Sequence, residues 1–181
     1  MFNGFIAAAA VVLATMSAPA LAADQGNLQV FRDVSRQVLR YPHFTVFDNI
    51  QADVNEGVVT LTGKVTMPYK STDIQKQVAK LNGVTQVVNR IEVLPVSQFD
   101  DDLRRGIARA IYGNANFWGY GSMVNPPIHI IVDRGHVTLE GVVNSNVDRA
   151  IARSLASGFT AFSVTNNLKT DAEMKAELEK I

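Results

Sequence analysis

Two histidines and two carboxylates flank the predicted turn Asp133-Arg134-Gly135, and this is the pattern in the chain that most resembles a metal site. If Arg134-Gly135 forms the centre of a hairpin, His129 lies opposite Glu140 and His136 lies opposite Asp133. A catalytic zinc site needs about three convergent ligands, and the sequence has no H-E-x-x-H or comparable cluster. We therefore predict two solvated cross-strand pairs and no metal site.

The other motifs that could support catalysis or ligand binding are better explained by structural roles. The acidic run 100–102 lacks the alternating ligands and the glycine of a calcium loop, and it suits the positive end of a helix dipole. Gly119-Tyr120-Gly121 has no third glycine at the spacing of a dinucleotide site. The sequence has no G-x-S-x-G, no phosphate-binding loop and no cysteine, which excludes thiolate chemistry. We predict a protein that is not an enzyme and carries no cofactor.

Aromatic rings close to arginines form the strongest candidate binding site. Residues 114–127 read NANFWGYGSMVNPP, and the preceding predicted helix carries arginines on its polar side. Rings flanked by cations are typical of contacts with membrane interfaces, where acidic head groups meet the basic residues. The alternative is that this loop packs against its own sheet or against the other half of the chain. The predicted lipid- or partner-binding residues are Arg104, Arg105, Arg109, Phe117, Trp118 and Tyr120.

The composition is that of a globular chain with an export signal. The 181 residues are 47% hydrophobic, and 17 basic side chains balance 17 acidic ones, so the broad positive field that nucleic-acid binding needs is absent. The apolar run Phe5–Met16 is too short to span a bilayer, and Ala20-Leu21-Ala22 fits signal-peptidase cleavage. We predict a signal peptide at 1–22 with cleavage after Ala22, a periplasmic location, and no transmembrane anchor in the mature chain.

The remaining sequence is a tandem repeat. GVVTLTGKV at 57–65 reappears 78 residues later as GHVTLEGVV at 135–143. In copy one, apolar spacing predicts a helix over 29–40, strands over 44–54 and 58–65, a helix from Pro68 and a strand over 84–93. Copy two has seven more residues between its first helix and its hairpin glycine. This order predicts an α+β fold of two αββαβ modules, at 28–95 and 98–169, followed by a polar tail at 170–181. Each module is expected to be a small sheet with two helices on one face.

The repeated motif resembles that of the BON-domain family. Its pattern of G-x-V-T-L-x-G-x-V, a helix, and G-V-x-x-V-x-N-x-I/L is matched throughout copy one, whereas copy two has Thr160-Ala161 in place of the second Gly-Val. The resemblance implies αββαβ modules that bind phospholipid surfaces or envelope proteins and do not catalyse a reaction. Export, two copies and no lipidation cysteine resemble the layout of osmotically inducible periplasmic members. This layout implies a role in envelope integrity or osmotic stress tolerance.

The glycines of the motif are assigned structural roles. Gly57 and Gly135 would permit positive φ in hairpins, and Gly63 and Gly141 would leave room where a strand lies under a helix. Gly83 would end the second helix of copy one. Two further interpretations stay open for function: chaperone-like holding of unfolded envelope proteins through exposed apolar surface, and self-association of the copies or of two chains.

Overall fold

The computed structural model describes the backbone of residues 18–178 and the side chains of residues 26–176, so most of the predicted signal peptide lies outside the described residues. The first module contains α1 (Ala18–Arg40), β1 (Asn49–Asn55), β2 (Val58–Val65), α2 (Pro68–Val78) and β3 (Gln86–Val93). The second contains α3 (Gln98–Tyr112), a 3-10 turn (Ala115–Phe117), α4 (Trp118–Gly121), β4 (Ile128–Asp133), β5 (His136–Val143), α5 (Asn146–Ala156), β6 (Ser163–Asn166), β7 (Lys169–Thr170) and α6 (Asp171–Leu178).

Both modules have the predicted α+β architecture. In the first sheet β1 pairs antiparallel with β2, and β3 pairs parallel with β2. In the second sheet β4, β5 and β6 repeat this arrangement, and β7 adds a short parallel pairing to β5. Alternating residues of β2 and β5 point toward two helices on one face, as the period of two in the sequence requires. The first core contains Val30, Val34, Val38, Val59, Leu61, Ile74 and Val78, and the second contains Leu103, Ile107, Ile111, Val137, Leu139 and Ala152.

The first strand begins later than its alternating pattern predicts. β1 begins at Asn49, and residues 45–48 form a turn closed by a hydrogen bond from the Asp48 N–H to the Thr45 carbonyl oxygen at 3.1 Å. The side chain of Asp48 bonds within this turn instead of extending from a strand. The alternating pattern places residue 48 among the inward-facing residues of a strand. Asp48 is indeed buried, but the reason is that its side chain closes the turn.

Within the predicted polar tail at 170–181, residues Asp171–Leu178 form the helix α6. The N–H of Glu173 donates to the hydroxyl of Thr170, and the N–H of Thr170 donates to the Glu173 carboxylate at 2.8 Å, which is the reciprocal capping arrangement of a helix N-terminus. Arg149 of α5 forms an ion pair with Glu173 at 3.0 Å. These contacts fix α6 against the second module.

The two modules are joined by direct contacts between the turn 44–48, the strand β2 and the strand β4. The N–H of Ile130 donates to the carbonyl oxygen of Val46 at 2.7 Å, so the free edge of β4 is partly closed by the first module. Phe47 packs against the core of the second module. Lys64 Nζ lies 2.6 Å from Asp133 Oδ2, and this ion pair crosses from one sheet to the other.

Within residues 18–178, none of the helices combines the length and the apolar character needed to span a bilayer.

Candidate functional site

The segment 114–127, here called the aromatic insertion, is held to the second module by two of its three rings. Phe117 is fully buried in the core, and its ring stacks on that of Tyr120 at a centroid distance of 5.8 Å. Both belong to the cluster that includes Ile111 and Val143. The prediction that Phe117 and Tyr120 reach a lipid surface is wrong in this structure, because their rings fill space that the insertion itself encloses.

Trp118 lies between these two anchors and points the other way, with 80% of its surface exposed. It begins α4, a single helical turn, so its side chain and those of its neighbours leave the backbone in different directions. Met123 and Val124 follow on the same insertion and are 50% and 97% exposed. The insertion therefore combines a buried attachment with an exposed apolar tip.

The hydroxyl of Tyr120 has a defined structural function. It accepts a hydrogen bond from the N–H of Asn144 at 2.8 Å and donates to Asp148 at 3.2 Å. Burial and the nearby Asp148 carboxylate raise the pKa of the Tyr120 phenol, with burial the larger cause. The phenol is therefore neutral at physiological pH and serves as a hydrogen-bonding group.

In the first module, a buried ion pair occupies the place that the Tyr120 hydroxyl and Asp148 occupy in the second. This pair was not predicted from the sequence. Asp48 is fully buried, and it accepts hydrogen bonds from the N–H and hydroxyl groups of Thr45 and Thr66 at 2.8–3.0 Å. Lys70, itself 4% exposed, donates to Asp48 at 2.6 Å. By the repeat offset of 78, Thr66 corresponds to Asn144 and Lys70 to Asp148. In the second module, the Tyr120 hydroxyl thus takes the place of the Asp48 carboxylate, and Asp148 takes the place of Lys70.

The three predicted arginines of α3 do not share one face. Arg104 is 4% exposed, pairs with Asp101 at 2.6 Å, and donates to the carbonyl oxygen of Val132. The prediction that Arg104 lies on the polar surface is therefore wrong, because its guanidinium fixes the end of β4. Arg105 and Arg109 are exposed one turn apart, and Arg105 pairs with Asp102 at 2.7 Å. These two cations remain available to a ligand.

The histidines occupy two different environments. The register of β4 and β5 places His129 opposite Glu140 and Asp133 opposite His136, as the hairpin predicts. His129 is partly buried at the module junction, with its Nδ1 atom fully buried and its ring centroid 5.3 Å from that of Phe44, so the prediction of a solvated pair is wrong there. Burial lowers its pKa. His136 is exposed beside Ser163, and no three His, Asp or Glu side chains in the described part of the chain are grouped as a metal site.

The acidic run at the start of α3 includes a residue that binds the backbone of the β4–β5 hairpin. Asp100 is fully buried and accepts hydrogen bonds from the N–H groups of Arg134 and Gly135 at 2.9 and 2.8 Å. Ser97, the residue before the helix, caps it by accepting from the Asp100 N–H at 3.2 Å. Asp100 therefore links the first helix of the second module to its hairpin.

The five glycines assigned structural roles, Gly57, Gly63, Gly83, Gly135 and Gly141, all have positive φ, between 79° and 119°. The expected reasons for three of them are wrong. The helix α2 ends at Val78 and not at Gly83, and a Cβ on Gly63 or Gly141 would meet backbone and not a helix. It would lie 2.1 Å from the carbonyl oxygen of Asn49, or 1.9 Å from that of Pro127. Each of these glycines thus allows the neighbouring strand to begin close beside it.

A comparison with curated protein sequences finds no match. Among solved structures, the chain is similar to CdsD, a structural protein of the type III secretion system of Chlamydia trachomatis, at 14% identity and a TM-score of 0.31, covering 84% of this chain and 68% of that one. The C-terminal domain of CdsD gives 12% identity and a TM-score of 0.32, covering 78% and 65%. These two structural similarities are too weak to add to the fold described above.

The sequence model of the BON domain matches twice, at residues 31–95 and 100–172. The two matches together cover more than half of the chain and fall on the two αββαβ modules. The chain belongs to the BON-domain family.

Proposed function

We propose that this chain is an exported, non-enzymatic binding protein of the bacterial envelope that contacts anionic phospholipid surfaces through its aromatic insertion. The observation that carries the proposal is the position of Trp118, which is 80% exposed while Phe117 and Tyr120, close by in the same insertion, are anchored in the core. An indole held out on a rigid support loses little conformational freedom on binding. Membership of the BON family supports this proposal, since BON domains are associated with phospholipid binding.

The charges near the insertion favour an anionic surface. Arg105 and Arg109 are exposed on α3, which ends at Tyr112, shortly before Trp118. The exposed pair of Arg105 with Asp102 is weak in water, so a phosphate can compete for the guanidinium. Each basic residue near an anionic leaflet contributes about 1 kcal/mol. Two arginines and a short apolar tip therefore give reversible contact and not permanent insertion.

In this proposal the chain is carried to the periplasm by the segment 1–22 and acts there without a covalent anchor. Reversible binding to the membrane surface would support envelope integrity or osmotic stress tolerance, the roles that the tandem layout implies. No catalytic group or cofactor takes part.

Vesicle binding followed by the emission of the single tryptophan tests the lipid contact directly. We expect the emission to shift to the blue with phosphatidylglycerol vesicles, to shift little with phosphatidylcholine vesicles, and to return toward its free value as salt is raised. In co-sedimentation, Trp118→Ala should lose most of its binding. The control is Phe162→Ala, which removes an exposed ring at the opposite end of β4. Equal sedimentation of the Trp118→Ala variant and the unsubstituted protein would exclude the insertion as the contact.

A second candidate function is chaperone-like holding of unfolded envelope proteins, and one surface favours it. Phe99 and Phe162 are 45% and 74% exposed, and their rings lie 6.1 Å apart beside the hairpin of the second module. Capture of apolar segments by this pair should not weaken as salt is raised. If the protein suppresses aggregation of a denatured client, Phe162→Ala should reduce that activity and Trp118→Ala should not. The opposite result would exclude the ring pair as the client site.

A further inference from the structure

The outer faces of the two sheets meet in a groove of about 570 Å³ between the modules. In the first module, the groove is formed by the ends of β1 and β2 that lie next to the junction. In the second, it is formed by the outward residues of β4 and β5 on either side of their hairpin. The side chains that line it are Asn49, Gln51, Thr62 and Lys64 from the first sheet, and Ile131, Asp133, Arg134, His136, Thr138 and Glu140 from the second.

The groove is held in shape by the contacts of the module junction. The ion pair of Lys64 with Asp133 crosses the groove at 2.6 Å. The backbone hydrogen bond between Ile130 and Val46 fixes the adjoining edge of β4. A ligand would therefore meet a site whose two walls are already positioned, which lowers the entropic cost of binding.

Many hydrogen-bonding groups in the groove have no partner in the protein. Among the described residues, the side chains of Asn49, Gln51, Thr62 and Thr138 make no hydrogen bond to another protein group, and the Oδ1 atom of Asp133 is buried without a protein partner. Each amide both donates and accepts, and so does each hydroxyl. The two walls thus offer mixed donors and acceptors, which match a ligand whose own groups do both.

The charge and polarity of the lining narrow the class of ligand. Lys64 and Arg134 balance Asp133 and Glu140, so the groove has no net charge with which to select an ion. Ile131 supplies the one aliphatic side chain of the lining and is itself 5% exposed, so the groove offers little apolar side-chain surface to an acyl chain or to the side chains of a peptide. We propose that the groove binds a neutral polyhydroxylated ligand, a saccharide, whose hydroxyl groups bridge the two sheets.

The proposal is tested by titrating ¹⁵N-labelled protein with three neutral saccharides, maltotriose, cellotriose and trehalose, and recording the amide shifts by NMR. We expect at least one of them to shift amides of β1, β2, β4 and β5 at the groove. Glucuronate and trialanine should cause smaller shifts. This experiment is independent of lipid binding, which is recorded at Trp118 in the aromatic insertion.

Two hydroxyl deletions distinguish the groove from other surfaces. Thr62→Val and Thr138→Val keep the shape and strand preference of the residue, and each should weaken binding about two- to tenfold through the loss of one hydrogen bond. Thr60→Val is the matched control, since Thr60 lies on the same face of β2 two residues away but does not line the groove. Unchanged core shifts would show that the variants are folded. The proposal is overturned if none of the three saccharides shifts groove amides, if trialanine alone does so, or if the control loses as much affinity.

Discussion

Replacing Lys70 by methionine removes one half of the buried ion pair in the first module while keeping most of the volume of the side chain. Asp48 would then be a fully buried carboxylate without a cation, although it would still accept hydrogen bonds from Thr45 and Thr66. Breaking a buried pair in this way costs about 3–5 kcal/mol. Because the remaining hydrogen bonds still solvate the carboxylate, we expect a loss near the lower end, about 3 kcal/mol.

Native-state amide hydrogen exchange is the suitable assay, because it resolves the two modules separately. Lys70→Met should reduce the protection of Val59 and Leu61 in β2, and leave that of Val137 and Leu139 in β5 much less changed. Lys76→Met is the control, since Lys76 is exposed on the same helix and its loss should change stability by less than about 0.5 kcal/mol.

A double-mutant cycle shows whether the effect belongs to the pair. Asp48→Asn alone should also destabilise the first module, because it leaves the ammonium of Lys70 buried and unpaired. The double variant should be more stable than the sum of the single losses predicts, by about 2 kcal/mol. Additive losses, or a cost of Lys70→Met below about 1 kcal/mol, the range of exposed pairs, would refute the reasoning from burial.

Three further predictions concern the second module and the junction. In urea unfolding, Phe117→Ala should cost about 3–5 kcal/mol and Trp118→Ala less than about 0.5, because one ring is core and the other is exposed. Because burial lowers the pKa of His129, folding disfavours its protonation; stability should fall as pH drops through the unfolded value of about 6.5, and His129→Phe should flatten that slope in pH-dependent denaturation. Thermal unfolding should show Gly141→Ala strongly destabilised, since its Cβ would meet a carbonyl oxygen, whereas Gly119→Ala, with open space around it, should unfold close to the unsubstituted protein.

Local patterns in the sequence were sufficient to predict the modules and the register of the second hairpin. Alternation with a period of two and the turn before Gly135 place Asp133 opposite His136, and the structure has that pairing. The burial of Arg104 was not predictable in this way, because its partner is the carbonyl oxygen of Val132, 28 residues along the chain. The burial of His129 depends likewise on contact with Phe44 of the other module. Long-range partners of polar side chains leave no periodic signal.

The aromatic insertion shows why one stretch of sequence supported two opposite interpretations. Phe117, Trp118 and Tyr120 are all aromatic and lie close together in the sequence. Even so, Tyr120 takes the position that Asp48 fills in the first module, while Trp118 remains exposed. These two outcomes are linked, since Phe117 and Tyr120 fix both ends of the single turn that carries Trp118. Loss of the Tyr120 anchor should therefore release the tip as well as weaken the core. Exposure of Trp118 is thus a consequence of how the insertion packs, because the same packing that buries Phe117 and Tyr120 leaves the third ring in contact with solvent.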